Sequence, residues 1–156
     1  SGYGAHANTS GDSAHANTSG DRAHANTSGD RAHANTSGDR AHANTSGYGA
    51  HANTSGDSAH ANTSGYRAHA NTSGDRAHAN TSGKESIACA LGFQSKSMAK
   101  QGWIVIVDWR EGKEGNWFIK QIYHAKVGDR IKCRKILPDV WYWFEDGKLK
   151  SEKAVS

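Results

Sequence analysis

The chain has 156 residues, 18 glycines, one proline and a formal net charge of +4. Its length suits one domain, yet residues 1–83 contain no Leu, Ile, Val, Phe, Trp, Met or Cys, and five Arg stand there against six Asp. All five Trp and 14 Lys and Arg, against nine Asp and Glu, lie beyond residue 83. The first half therefore has no material for an ordinary apolar core. No apolar run is long enough to span a membrane, Trp103–Val107 being the best, and the diffuse positive charge does not indicate nucleic acid.

Residues 1–81 are nine uninterrupted copies of Ser-Gly-x-x-Ala-His-Ala-Asn-Thr. Only the two x positions vary, as Tyr-Gly, Asp-Ser, Asp-Arg or Tyr-Arg. Two degenerate copies follow in register over residues 82–90 and 91–99, keeping Gly83 and Gly92. A polar Gly/Ser-rich tract can be disordered, or it can stack as a solenoid in which each unit buries its face on its neighbours. Three features select the solenoid. The period has no insertion, Ala-His-Ala alternates at the strand period of two, and Ser-Gly-Asp supplies turn chemistry once per unit.

Nine residues are too few for a two-sided coil and eighteen suffice. The expected fold is all-β: a two-sided parallel β-solenoid of about 18 residues per rung, about 26 Å tall at roughly 4.8 Å per rung. Alternation turns Ala5 and Ala7 inward and His6 and Asn8 outward, and leaves Thr9 open. Gly2 and its equivalents suit a turn with φ > 0. Asp-Arg pairs at the turns are expected to form charge ladders down the edges. Alanine burial is too small to carry such a fold, so backbone ladders and stacked polar side chains must contribute much of the rest.

The nonapeptide period resembles the parallel β-rolls of calcium-binding secreted bacterial proteins. Those need a second Gly and a spaced Asp per unit, whereas Tyr3, Tyr48 and Tyr66 replace the single Asp here, so the resemblance covers architecture and not metal. The alternating small residues are also similar to β-roll heads of trimeric autotransporter adhesins, whose period differs.

After residue 99 the pattern becomes strands and tight turns. Trp103–Trp109, Trp117–Val127, Arg130–Ile136, Val140–Phe144 and Lys148–Lys150 are expected to form a small antiparallel β-meander over residues 100–156, with a hairpin at Asp146-Gly147. The segments Ala90-Leu91-Gly92, Gly102-Trp103-Ile104-Val105, Ala125-Lys126-Val127, Ile131-Lys132, Asp139, Trp141-Tyr142 and Asp146-Gly147-Lys148, with the repeats before them, resemble an uncharacterised group of phage- and prophage-encoded proteins. Those end in Gly-rich nonapeptide arrays and a short β domain, and the resemblance implies no activity.

The C-terminal domain would cap one end of the stack, because a bare rung is a template for further pairing. Ser1 opens directly in a full-strength repeat. That asymmetry predicts head-to-tail self-association into a homopolymer, with Ser1, Gly2, Tyr3, Trp141 and Trp143 at the interface. The expected function is a structural one, the subunit of an extracellular filament or phage-derived fibre located outside the cell or on a virion or cell surface. An adhesin-type or ice-binding surface module is the alternative. The run Trp141–Phe144 has the chemistry to stack on carbohydrate or bases, half of it packing the core.

His6, His15, His24, His33, His42, His51, His60, His69 and His78 form the expected outward ladder. Ligands on one flat face do not converge tetrahedrally, so no metal site is expected. Protonating neighbours at that spacing would cost about 1 kcal/mol per pair in water, loosening the ladder below about pH 6. Asn8-Thr9-Ser10 is a formal glycosylation acceptor repeated by the period. Cys89 and Cys133 allow one disulfide or two free thiols. There is no phosphate loop, nucleophile elbow or Cys–His arrangement, so no enzyme activity, catalytic residue or cofactor is expected.

Overall fold

The computed structural model describes residues 1–154, all β-strand and turn. Each of the nine repeats contributes one short strand. These are β1 (His6–Ser10), β2 (His15–Ser19), β3 (His24–Ser28), β4 (His33–Ser37), β5 (His42–Ser46), β6 (His51–Thr54), β7 (His60–Thr63), β8 (His69–Thr72) and the start of β9 (His78–Ala90). Strand n pairs in parallel with strand n+2, each residue lying opposite its copy 18 positions later, as in His6 with His24 and Ser10 with Ser28. Odd strands build one face and even strands the other, which is the two-sided parallel solenoid of 18-residue coils.

The inside is thinner than any Leu-based core. Both alanines of each unit face inward, and from Ala16 to Ala79 all are buried, only Ala5, Ala7 and Ala14 at the start of the stack being partly exposed. The strand period settles Thr9 as well: it and its copies point inward, and Thr18 through Thr81 are at most 8% exposed. Among the described residues none of these Thr hydroxyls, from Thr9 to Thr81, has a hydrogen-bond partner. A buried orphan hydroxyl opposes folding. Thr45→Val keeps the shape and removes that group, so it is expected to raise stability by about 1 kcal/mol. Lower stability of the variant in thermal melts would contradict this account.

The turns explain the rest of the repeat. The second-position glycines of successive coils lie almost in contact: a Cβ on Gly20, Gly38, Gly56 or Gly74 would meet the carbonyl of the glycine 18 residues earlier. The third-position Asp accepts the backbone N–H of the next coil, as Asp39 Oδ1 does from Asp57 N at 3.1 Å and Asp75 Oδ1 from Phe93 N at 2.9 Å. The fourth position is left-handed at Arg22, Arg31, Arg40, Ser58, Arg67 and Arg76, with φ between 53° and 58°. The expected Asp–Arg charge ladders therefore do not form. The carboxylates of Asp30, Asp39, Asp57 and Asp75 are engaged by backbone, and among the described residues Arg67 is the only repeat arginine with a carboxylate within 4.0 Å, that of Glu85 at 3.0 Å.

The parallel ladder outlasts the sequence boundary at residue 99. Strand β10 (Lys96–Glu111) lies along both halves of β9, Lys96–Ala99 opposite His78–Thr81 and Trp103–Ile106 opposite Ile87–Ala90. Two register shifts make this last coil 16 residues long instead of 18. Antiparallel strands follow, as expected, but they are divided between the faces. On the even face β11 (Trp117–Lys126) pairs with the second half of β10. On the odd face β14 (Val140–Glu145) meets β10 at Ser97 and Tyr142 and pairs with β15 (Lys148–Lys153). The expected strand Arg130–Ile136 is instead a small hairpin, β12 (Arg130–Ile131) with β13 (Arg134–Lys135), turning at Lys132 with φ 54°. Ile104, Ile106, Ile131, Ile136, Tyr142 and Phe144 form the apolar core beneath these strands. Cys89 and Cys133 are both free thiols.

Candidate functional site

The repeat sets its side chains in columns along two open faces, and the candidate sites lie on these surfaces. Each face carries three outward columns, one residue per coil. The histidine rings stack at 4.6–4.9 Å between centroids and within 7° of parallel, in the columns His6–His24–His42–His60–His78 and His15–His33–His51–His69. The nine expected ladder histidines thus fall into two rows. Burial pushes the pKa of His42, His51 and His60 down, and the charge of stacked neighbours pushes His42 and His51 down further. His78 lies under Trp141, edge-on at 5.0 Å, and is lowered to about 4, chiefly by burial and then by His60 and Lys96. Among the described residues no three His, Cys, Asp or Glu side chains are placed to share a metal ion.

Beside each histidine row runs an asparagine row. Asn26 Nδ2 donates to Asn8 Oδ1 at 2.8 Å, Asn44 to Asn26 and Asn62 to Asn44, with the same chain from Asn17 to Asn71 on the even face. One amide donor and one acceptor of each interior Asn are matched at the coil spacing. The acceptor asparagines of the formal glycosylation sites are thereby tied into the ladder. The third column is serine. Between asparagine and serine rows of the even face runs a groove of about 680 Å³, from Ser1 to Leu91. The threonines lie beneath it, so the paired Thr ranks that an ice-binding face presents are turned inward here.

The variable positions gain meaning at 18-residue spacing. Tyr48 and Tyr66 occupy consecutive coils and stack at 5.6 Å. Arg67 donates to Tyr48 Oη and Glu85 Oε2, both at 3.0 Å, and Tyr66 Oη donates to the same carboxylate at 2.8 Å. These bonds hold the Glu85 carboxyl below its usual pKa.

The five residues expected at an assembly interface lie in two places. Ser1, Gly2 and Tyr3 belong to the first turn, where Gly2 N donates to Ser19 O and Arg22 lies over the Tyr3 ring at 5.3 Å. Trp141 and Trp143 are on β14, half-buried, covering His78 and Lys96 at the flank of the odd face. Val140, Tyr142 and Phe144 alternate with them into the core. Sequence reasoning missed a different surface, β11. Among the described residues that strand pairs only with β10, and it leaves Trp117, Phe118, Ile119 and Ile122 between 47% and 51% exposed.

Family models, curated proteins and solved structures offer no match to this chain. No helix among the described residues is long and apolar enough to cross a membrane.

Proposed function

We propose that this is a structural protein, the self-associating subunit of an extracellular filament or phage-derived fibre. The observation that carries the reading is β11. A ten-residue strand with one unpaired edge, bearing two aromatic and two Ile side chains half in solvent, is the arrangement that natural sheets hide unless they use it for pairing. A bulge at Lys120, where Asp108 and Trp109 oppose Gln121 and Ile119, together with Lys126 near the strand end, limits how that edge can be matched. The stack itself supports the role. Its coils all rise in one direction, so its two ends differ, and contacts between unlike ends build an open filament when their rotation does not close a ring. Its histidine and asparagine columns are continuous stacking and hydrogen-bond ladders, suited to stiffness.

Sedimentation and negative-stain microscopy across a concentration series test this. The chain is expected to form elongated assemblies with a rung reflection near 4.8 Å, and Ile119→Lys and Ile122→Lys are expected to keep it monomeric with an unchanged circular-dichroism spectrum. Monomers at every concentration, or unaltered assemblies in both variants, would overturn the proposal.

A further inference from the structure

The odd face has one recess that breaks the repeat. Its wall is the turn column Ser58, Arg76 and Gln94, and its back is the column His60, His78 and Lys96. Trp143 and Glu145 of β14 close the end, leaving about 410 Å³, within the range of small-ligand sites. Position 58 holds the short Ser, whereas the adjacent coils of that column carry Arg40 and Arg76; Arg22 precedes them, with Gly4 and Gln94 at the two ends of the column.

The charges around it are mostly spoken for. Lys96 Nζ lies 3.0 Å from Glu152 Oε2 and 4.3 Å from the Trp143 ring centre, and Glu145 is 3.6 Å from Lys150 Nζ. Arg76 is the exception, with no carboxylate within 4.0 Å among the described residues. The remaining lining is neutral: a hydroxyl, an amide, two imidazoles and an indole. Nδ1 of His78 is shielded from solvent and has no hydrogen-bond partner.

Neutral groups that both donate and accept, set against an aromatic wall, suit a polyhydroxylated ring. One unpaired guanidinium suits one carboxylate, which it can grip through two parallel hydrogen bonds. A phosphate would call for several free cations or a nest of backbone N–H groups, whereas Lys96, the second cation of the lining, is held by Glu152. We propose that this recess binds a carboxylated monosaccharide unit, a uronic or sialic acid residue, and so gives the rod a glycan-recognition site beside its C-terminal strands. The site includes no β11 residue and stands whether or not the protein assembles.

The repeat supplies its own test variants. Ser58→Arg fills the recess with the residue found at this turn position in neighbouring coils, and Arg76→Ser removes the cation with the residue found at Ser13 and Ser58. Both are therefore compatible with the fold. Methyl β-glucuronide and N-acetylneuraminic acid would be titrated into the full chain while Trp fluorescence and side-chain NMR shifts are followed, with methyl β-glucoside and inorganic phosphate as comparators. At least one acidic sugar is expected to saturate, about tenfold or more tighter than the glucoside and than phosphate, as loss of a charge-assisted contact implies. Each variant is expected to lose about tenfold or more of that affinity at unchanged melting temperature. No saturation by either acidic sugar, equal binding of phosphate, or wild-type affinity in both variants would overturn the proposal.

Discussion

Gly65→Ala is expected to destabilise the solenoid by about 3 kcal/mol, the upper part of the usual range for overpacking. A Cβ at residue 65 would collide with the carbonyl carbon and oxygen of Gly47, which are backbone atoms and cannot swing aside. Relief would require two coils to separate, and their spacing is set by the hydrogen bonds on either side of the turn. The backbone at Gly65 is not in the left-handed region, so the effect isolates the collision from conformational strain. Gly49→Ser is the matched comparison. Gly49 is left-handed at φ 62°, but its nearest atom to a Cβ is the Arg31 Cγ at 4.0 Å, and Ser58 adopts the same backbone at φ 55°. That change is expected to stay within about 0.5 kcal/mol. Thermal unfolding of both variants decides: equal melting temperatures would remove the close glycine stack from the account of stability.

The contrast also shows what the repeat discloses and what it conceals. Copies nine residues apart make the period, the inward alanines and the outward histidines readable, because strand alternation and coil length follow directly from the spacing. The fate of the Asp-Arg pairs was not readable. It depends on the left-handed fourth residue and on the N–H of a coil 18 positions away, which captures the Asp oxygen first. The end of the solenoid was hidden for a different reason. Trp103–Val107 has the composition of an antiparallel strand, and it does pair antiparallel on one side, with β11. Its other side continues the parallel stack through a coil shortened by two residues, and that shortening erases the nine-residue signal. The recess at Ser58 lies between these cases. Ser58, Arg76 and Gln94 stand 18 apart, so the sequence aligns them, but only the crossing of β14 encloses them. The exposed side of β11 was invisible, since an aromatic, β-branched strand reads the same at a sheet edge as in a core.

Acid is expected to weaken the fold through the odd-face histidine row, and the direction follows from the pKa order. His78 titrates near 6.5 when unfolded and at about 4 when folded. Its stabilising contribution is complete above pH 6.5. Below that, the unfolded chain takes up a proton that the folded ring refuses, and stability falls until the pH passes about 4. The groups facing this ring are His60 from β7 and Lys96 from β10, which both disfavour its charge, Trp141 from β14 and Glu152 from β15, which favours it weakly. Allowing for partial exposure, His78 alone would account for about 2 kcal/mol between pH 6.5 and pH 4. His42 and His60 of the same row, and His51 of the even-face row, shift the same way and add to the slope. Glu85 is held below 4.5, so its ion pair with Arg67 survives through most of this window and does not supply the loss. Melting temperatures should therefore be level from pH 8 to about 6.5 and fall steadily to pH 4.5. His78→Gln, which cannot take the proton, should fall measurably less over the same range. An identical slope in that variant would place the acid sensitivity elsewhere than at the buried end of the histidine row, where solenoid and C-terminal strands meet.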